Sequence, residues 1–278
     1  MRSMLLRRVL RQKGAVIGGT IVLSVVLTAV LAPLLAPHPF DATDLLNTWA
    51  PPDNVNPLGT DQLGRDILSR LIIGARVSLA VGLSVVAVTL VVGVSVGMVA
   101  GYFGGQADAF FMRAVDIVLA FPEVVLAILV AAVLGPGLLT VIVALSLVWW
   151  PGIARLARSL VLVQKQELYV DAAIVCGTPA AEIIWRHILP NIAGALLVRA
   201  SVGVGFIIMA EATLSFLGLG VQEPVPSWGS MIRDGLPALR TDPMLAISAS
   251  LVIGLTIIGF NLLGDGLRDA LDPRLHGR

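Results

Sequence analysis

Charge, histidine, lysine and cysteine are all scarce in this chain, and each shortage excludes something. Only 13% of the 278 residues are charged, against roughly 25% in a soluble domain, so the chain cannot present a water-facing surface all round. The three histidines, His38, His187 and His276, fall outside the long apolar runs, and no Ser/His/Asp set or metal-ligand cluster can be assembled within those runs. Lys13 and Lys165 are the only lysines. Neither follows a glycine, and no GxxxxGK[ST] phosphate loop occurs, so the chain is not itself an ATPase and no catalytic residue is assigned. The single Cys176 cannot close an intrachain disulfide and reads as a small apolar packing residue. A net charge of +1 offers no footprint for nucleic acid.

What is present is hydrophobic surface: 57% of the residues are apolar and mean hydropathy is +0.92. Six continuous runs, 14–36, 77–100, 110–134, 138–160, 195–219 and 243–263, approach the roughly 20 residues that a helix needs to cross about 30 Å of hydrocarbon. The runs do not alternate, which favours helices over a barrel. The expected fold is all-α, an integral membrane protein with six transmembrane helices and membrane lipid around it. Arg2, Arg7, Arg8, Arg11 and Lys13 precede the first run without an acidic residue, which places both termini in the cytoplasm. That first run exceeds the 7–15 residues typical of a signal-peptide h-region, and Leu34-Leu35-Ala36 is a poor cleavage site. The chain therefore divides into a basic N-terminus (1–13), a first span (14–36), an external loop with an interfacial helix (37–76), a five-helix core (77–264) and a cytoplasmic tail (265–278).

Several residues carry more specific expectations. Leu63, Ile67 and Leu71 recur at helical spacing across 61–76 while Asp66 and Arg70 stand four apart, predicting an amphipathic helix at the membrane surface with those two charges paired. A second short amphipathic helix is expected over 227–236, beside an interfacial Trp228. Ser78, Gly82, Ser84, Gly93, Gly97 and Gly101 would let the second span approach its neighbours, as would Gly203 and Gly205 in the fifth. Pro122 and Pro151 should bend or interrupt the third and fourth spans. Charges within spans are functional candidates by cost alone. Asp116 and Glu123 are read on one face of the third helix, Glu123 and Glu211 are candidates for lining a pathway, and Arg199 is read as snorkelling to headgroups.

The most informative segment is a polar island, Leu162 to Asn191, with the core YVDAAIVCGTPAAEIIWRHILPN. Gly177, Thr178 and Pro179 break a helical run that contains Asp171, Ala172 and Ala173, and a second run from Ala180 is expected to stop at Pro190. This spacing resembles the EAA loop of permease subunits of bacterial ATP-binding-cassette importers. Similar stretches start at Asn56 (NPLGTDQLGRDILSRLIIGARVSLAVGL), Gly101 (GYFGGQADAFFMRAVDIVLAFP), Ala210 (AEATLSFLGLGVQEPVPSWGSMI) and Asn261 (NLLGDGLRDALDPRL). His187, Pro190 and Asn191 narrow the likeness to the dipeptide, oligopeptide and nickel branch. Asp171 stands where that motif usually carries glutamate.

The resemblance implies a cytoplasmic coupling loop over 162–191, with Asp171, Ala172, Ala173, Gly177, His187, Leu189 and Pro190 coupling to an ATPase. It also implies a second permease subunit, two cytoplasmic ATPases that hold the ATP and magnesium, and an extracytoplasmic solute-binding protein. This chain would carry no cofactor. Peptides are the expected cargo, with nickel or glutathione as alternatives in the same family. Outside it, an ion-coupled secondary transporter would be expected to show paired inverted repeats, and none is visible.

Overall fold

With no water in hydrocarbon to satisfy backbone groups, apolar runs of this length close their hydrogen bonds internally as helices. The computed structural model describes residues 12–271 and, among them, has no strand beyond an isolated bridge between Thr60 and Asp66. Arg2, Arg7, Arg8 and Arg11, on which the expected orientation partly rests, lie outside the described residues, as does His276. The helices are α1 (Lys13–Val30), α2 (Ala32–Leu35), α3 (Ile67–Phe103), α4 (Gly105–Leu119), α5 (Glu123–Leu134), α6 (Leu138–Gln164), α7 (Leu168–Val175), α8 (Ala180–Phe216), α9 (Trp228–Gly235) and α10 (Met244–Leu271). Five of them, α1, α3, α6, α8 and α10, are long and apolar enough to cross a membrane, and α4 with α5 makes a sixth if a pair bent by 86° is one broken span.

Close helix approach is made by glycine, because apolar side chains gain little by leaving lipid for one another. Along the α3–α6 seam a Cβ at Gly97 would run into the Ala154 carbonyl, one at Gly93 would sit 2.7 Å from the Trp150 carbonyl and one at Gly101 3.0 Å from that of Arg158. The α1–α10 seam is built likewise, with Gly18 against the Gly259 carbonyl and Gly266 against Ala15.

The structure corrects several expectations. No separate interfacial helix spans 61–76: residues 61–66 form a turn, and Ile67 opens the 37-residue α3. The polar residues of that segment face inward, Asp61, Arg65, Asp66 and Arg70 each being no more than 3% exposed. Asp66 caps α3 by accepting from the Ser69 amide at 2.8 Å, while Arg70 turns to Asp61, 3.3 Å away, instead of pairing with Asp66. The helix has no solvent-facing polar stripe to hold it at an interface. In the third run, Pro122 does interrupt the helix and N-caps α5, but the bend then takes Asp116 and Glu123 off any common face. Asp116 pairs instead with Arg155 at 2.8 Å. Pro151 sits inside an uninterrupted α6. Helix α9 forms, with Ser227 and Ser230 completing a capping box. Its Trp228 is wholly buried rather than interfacial, the indole N–H donating to the Leu71 carbonyl at 3.0 Å. The last helix continues to Leu271, into the segment read as a tail.

At the end of the bundle opposite the island, Asp61 Oδ2 accepts from Arg65 Nε at 2.7 Å and Arg65 Nη2 reaches Glu223 Oε1 at 3.0 Å. This ties the loop before α3 to the loop before α9. Partial burial pushes the Glu223 carboxyl upward, but the Arg65 hydrogen bond and the Arg65, Arg70 and Arg233 charges outweigh it and hold its pKa below the ordinary value. A carboxyl depressed on folding contributes its stability above its unfolded pKa and loses it as pH falls through the folded one. Acidification from pH 7 to below about 4 is therefore expected to loosen residues 51–66, read as lower amide protection factors after division by the intrinsic exchange rate at each pH. Glu223→Gln should already show the lowered protection at pH 7 and lose that pH step.

Candidate functional site

The polar island projects from one end of the bundle as α7, held by a turn on either side. Helix α6 ends at Gln164, and residues 165–167 reverse the chain into α7. At the other end α7 closes in a Schellman arrangement: the Gly177 amide donates to the Ile174 carbonyl at 2.9 Å and the Thr178 amide to the Ala173 carbonyl at 3.0 Å. Gly177 has φ +78°, a left-handed conformation that glycine adopts without penalty.

The second island helix does not stop at Pro190. It runs from Ala180 into the fifth span as the single 37-residue α8. A π-helical turn over Ile183–Ile188 is how the proline is passed, since the Leu189 amide donates back five residues to Ile184. Widening the helix there removes the conflict between the ring, which has no N–H, and the preceding turn.

One face of α7 is fastened down. Val170 is fully buried against Ile183, Ile184 and Ile188 of the π turn and Val161 of α6. Tyr169 Oη donates to Gln164 Oε1 at 2.7 Å and accepts from Asn191 Nδ2 at 3.1 Å, and the same amide nitrogen donates to the His187 carbonyl at 2.7 Å. The opposite face is bare. Asp171, Ala172, Cys176 and Gly177 are exposed and Ala173 is half-buried beside them. Exposed with them are Leu168 at 84%, Val175 at 87% and Ile174. Apolar side chains this open beside a polar loop make this face a candidate docking surface. The structure thus gathers Asp171, Ala172, Ala173 and Gly177 on one projecting element. His187, Leu189 and Pro190 stand apart on α8, where the island joins the fifth span. Leu168, Ile174 and Val175 were missed in the sequence, where an apolar residue in a short helix reads as core.

Glu211 is placed inside the bundle. It is 0% exposed, and its carboxyl accepts from Ser78 Oγ at 3.0 Å and Ser215 Oγ at 2.7 Å, tying α8 to α3. Glu123, at the start of α5, is exposed and lines a cavity of about 150 Å³ with Trp149, Phe206 and Thr213. Arg199 is half-buried beside a gap of about 10 Å³, with Thr89, Trp149 and Gly203. Its guanidinium turns toward Gly203, with one terminal nitrogen 3.8 Å from where a Cβ there would lie. Side chains on a helix ordinarily lean toward its N-terminus, so Arg199 is bent away from the island end rather than snorkelling to it.

Residues 93–277 match the model of the family described as binding-protein-dependent transport system inner membrane component. Residues 2–52 match that of the N-terminal transmembrane domain of oligopeptide transport permease C. The chain is 44% identical over 273 residues to a glutathione transport system permease protein of Pectobacterium atrosepticum, covering 97% of this chain and 90% of that one. It is 41% identical over 263 residues to an oligopeptide transport system permease protein of Bacillus subtilis, covering 95% and 86%. A dipeptide transport system permease protein of Alkalihalophilus pseudofirmus is 40% identical over 269 residues, covering 97% and 88%.

Proposed function

Because this chain belongs to the binding-protein-dependent transport system inner membrane component family, we propose that it forms half of the translocation pathway of an importer for short peptides. The observation that carries the proposal is the projecting α7, anchored through Val170 and Tyr169 but bare on its outer face. A structural connector would bury its apolar residues; a coupling element leaves them for its partner. The relatives whose names specify glutathione, oligopeptides and dipeptides all point to cargo of one chemistry, since glutathione is itself a short peptide.

In this reading the island end is cytoplasmic and the Asp61–Arg65–Glu223 end faces a solute-binding protein across a bacterial inner membrane. Each permease of a pair offers its α7 to one of two ATPase subunits, which carry the ATP and magnesium; this chain performs no catalysis. Closure of the ATPases on ATP draws the two islands together, and the differential affinity of nucleotide for the closed state drives the change. The rigid fastening of α7 to the bases of α6 and α8 transmits that movement to the spans. Asp171 keeps the charge that the related loops place there and sits in the first turn of α7, where a carboxylate is favoured by the helix dipole.

The test is to tag the chain in its host, solubilise the membranes gently and identify what co-purifies. A second permease with ATPase subunits is expected. A chain recovered alone, and still transporting after reconstitution without ATP, would replace this reading by a secondary transporter.

A further inference from the structure

Two charges of opposite sign flank one indole in the membrane part of the bundle. Trp149 of α6 lines both the cavity that holds Glu123 and the small gap beside Arg199. Phe206, one helical turn beyond Gly203 on α8, lies with its ring centroid 6.4 Å from that of Trp149. Neither Glu123 nor Arg199 has an ion-pair partner among the described residues, although Asp108, Asp116, Arg155 and Arg158 nearby in sequence are all paired. Arg199 is about 25 Å along α8 from its Phe216 end at 1.5 Å per residue, inside a hydrocarbon core of roughly 30 Å. A charge within a spanning helix that has no ion-pair partner is a candidate functional residue.

Its orientation argues against a lipid anchor. An arginine serving headgroups would extend toward the near end of its helix, whereas one terminal nitrogen of Arg199 lies 3.8 Å from where a Cβ at Gly203 would be, four residues along α8 in the other direction. A planar guanidinium so held matches a carboxylate in bidentate fashion. The exposed carboxylate of Glu123 offers the complementary contact for an ammonium. Between them the Trp149 and Phe206 rings supply an apolar surface that takes side chains of any shape without reading them.

We propose that Glu123 and Arg199 are the two charged contacts of a zwitterionic cargo, Glu123 receiving its free ammonium and Arg199 its free carboxylate, with the intervening residues lying over Trp149 and Phe206. This rests on the importer reading and adds the chemical class that the pathway selects: short peptides with both ends unblocked. Charge complementarity at two points, with nothing specific between, gives selectivity for termini rather than for sequence.

The test uses the complete importer, with its second permease, ATPases and binding protein, in proteoliposomes. Uptake of a free peptide, its N-acetylated form and its C-amidated form is measured for the unsubstituted importer, for Arg199→Gln and for Glu123→Gln. Each variant's rate is divided by the unsubstituted rate for the same peptide, so that preferences of the delivery protein cancel. Arg199→Gln is expected to slow the free and N-acetylated peptides roughly tenfold, the scale of one lost charge-assisted hydrogen bond, and to leave the C-amidated peptide near its original rate. Glu123→Gln should do the converse, slowing free and C-amidated peptides and sparing the N-acetylated one. Equal slowing of all three peptides, unchanged rates for all three, or loss of the second permease from the purified complex would each overturn the proposal. Absence of ATP-dependent uptake in the unsubstituted complex would instead overturn the importer reading beneath it.

Discussion

Substituting Gly177 with valine is expected to reduce ATP-driven uptake about tenfold or more while the chain remains inserted and assembled. The residue sits at φ +78° with two amide hydrogen bonds converging on the end of α7, and a β-branched side chain in that conformation costs on the order of 1–2 kcal/mol. Nothing lies within 4 Å of the Cβ position, so the strain cannot be passed into the bundle by collision. It is relieved locally, by unwinding the end of α7 and re-aiming Val175 and Cys176. The matched substitution is Gly177→Asn, whose residue tolerates left-handed backbone and should retain most of the transport. Uptake and ATPase rates measured together in proteoliposomes decide the matter. Normal uptake by Gly177→Val would show that the geometry of this loop end does not transmit the movement of the ATPases.

Gly97→Val is expected to have the opposite character, with little protein reaching the membrane fraction and what does unfolding at a markedly lower temperature. The new Cβ would meet the Ala154 carbonyl and lie 2.6 Å from the Ala157 methyl, at the middle of the Gly93, Gly97 and Gly101 seam. Overpacking by side chains costs about 1–3 kcal/mol, and here the obstacle is backbone, which cannot rotate aside. Against a total stability of roughly 5–15 kcal/mol, separating α3 from α6 is enough to unfold much of the population. Gly152→Ala on α6 is the control, since nothing lies within 4 Å of its Cβ. Equal abundance and equal melting temperature for Gly97→Val and the unsubstituted chain would show that the two helices can part without loss.

How much was legible in the sequence depended on whether a feature is local. The break at Pro122, the helix over Trp228–Gly235 and the turn at Gly177 were readable because each rests on a residue whose own backbone limits or capping chemistry suffices. Pairings were less readable. Asp66 and Arg70 have the spacing of a helical ion pair, yet Arg70 chooses Asp61, because folding brings Asp61 into the same buried pocket and Asp66 is already accepting from Ser69. Proline at 190 reads as a helix stop, but a π turn admits it and joins the island to the fifth span. Of the two glutamates expected on a pathway, Glu211 was drawn into a serine cluster between α3 and α8, while Glu123 was left at a cavity mouth. Arg199 carried no sequence signal beyond its charge, since the direction of a side chain along its helix depends on what its neighbours leave open.

The sequence by itself determined that this chain lives in a membrane as helices and that its polar island ends in a left-handed glycine turn. Hydrophobic length and the conformational limits of glycine and proline act within a few residues of themselves and need no partner. Only the tertiary structure decided which charges are satisfied and which are left over, which face of α7 is fastened and which is bare, and that Glu123 and Arg199 flank the same indole. Those outcomes depend on segments distant along the chain competing for the same buried contacts, and that competition is resolved only when the helices pack.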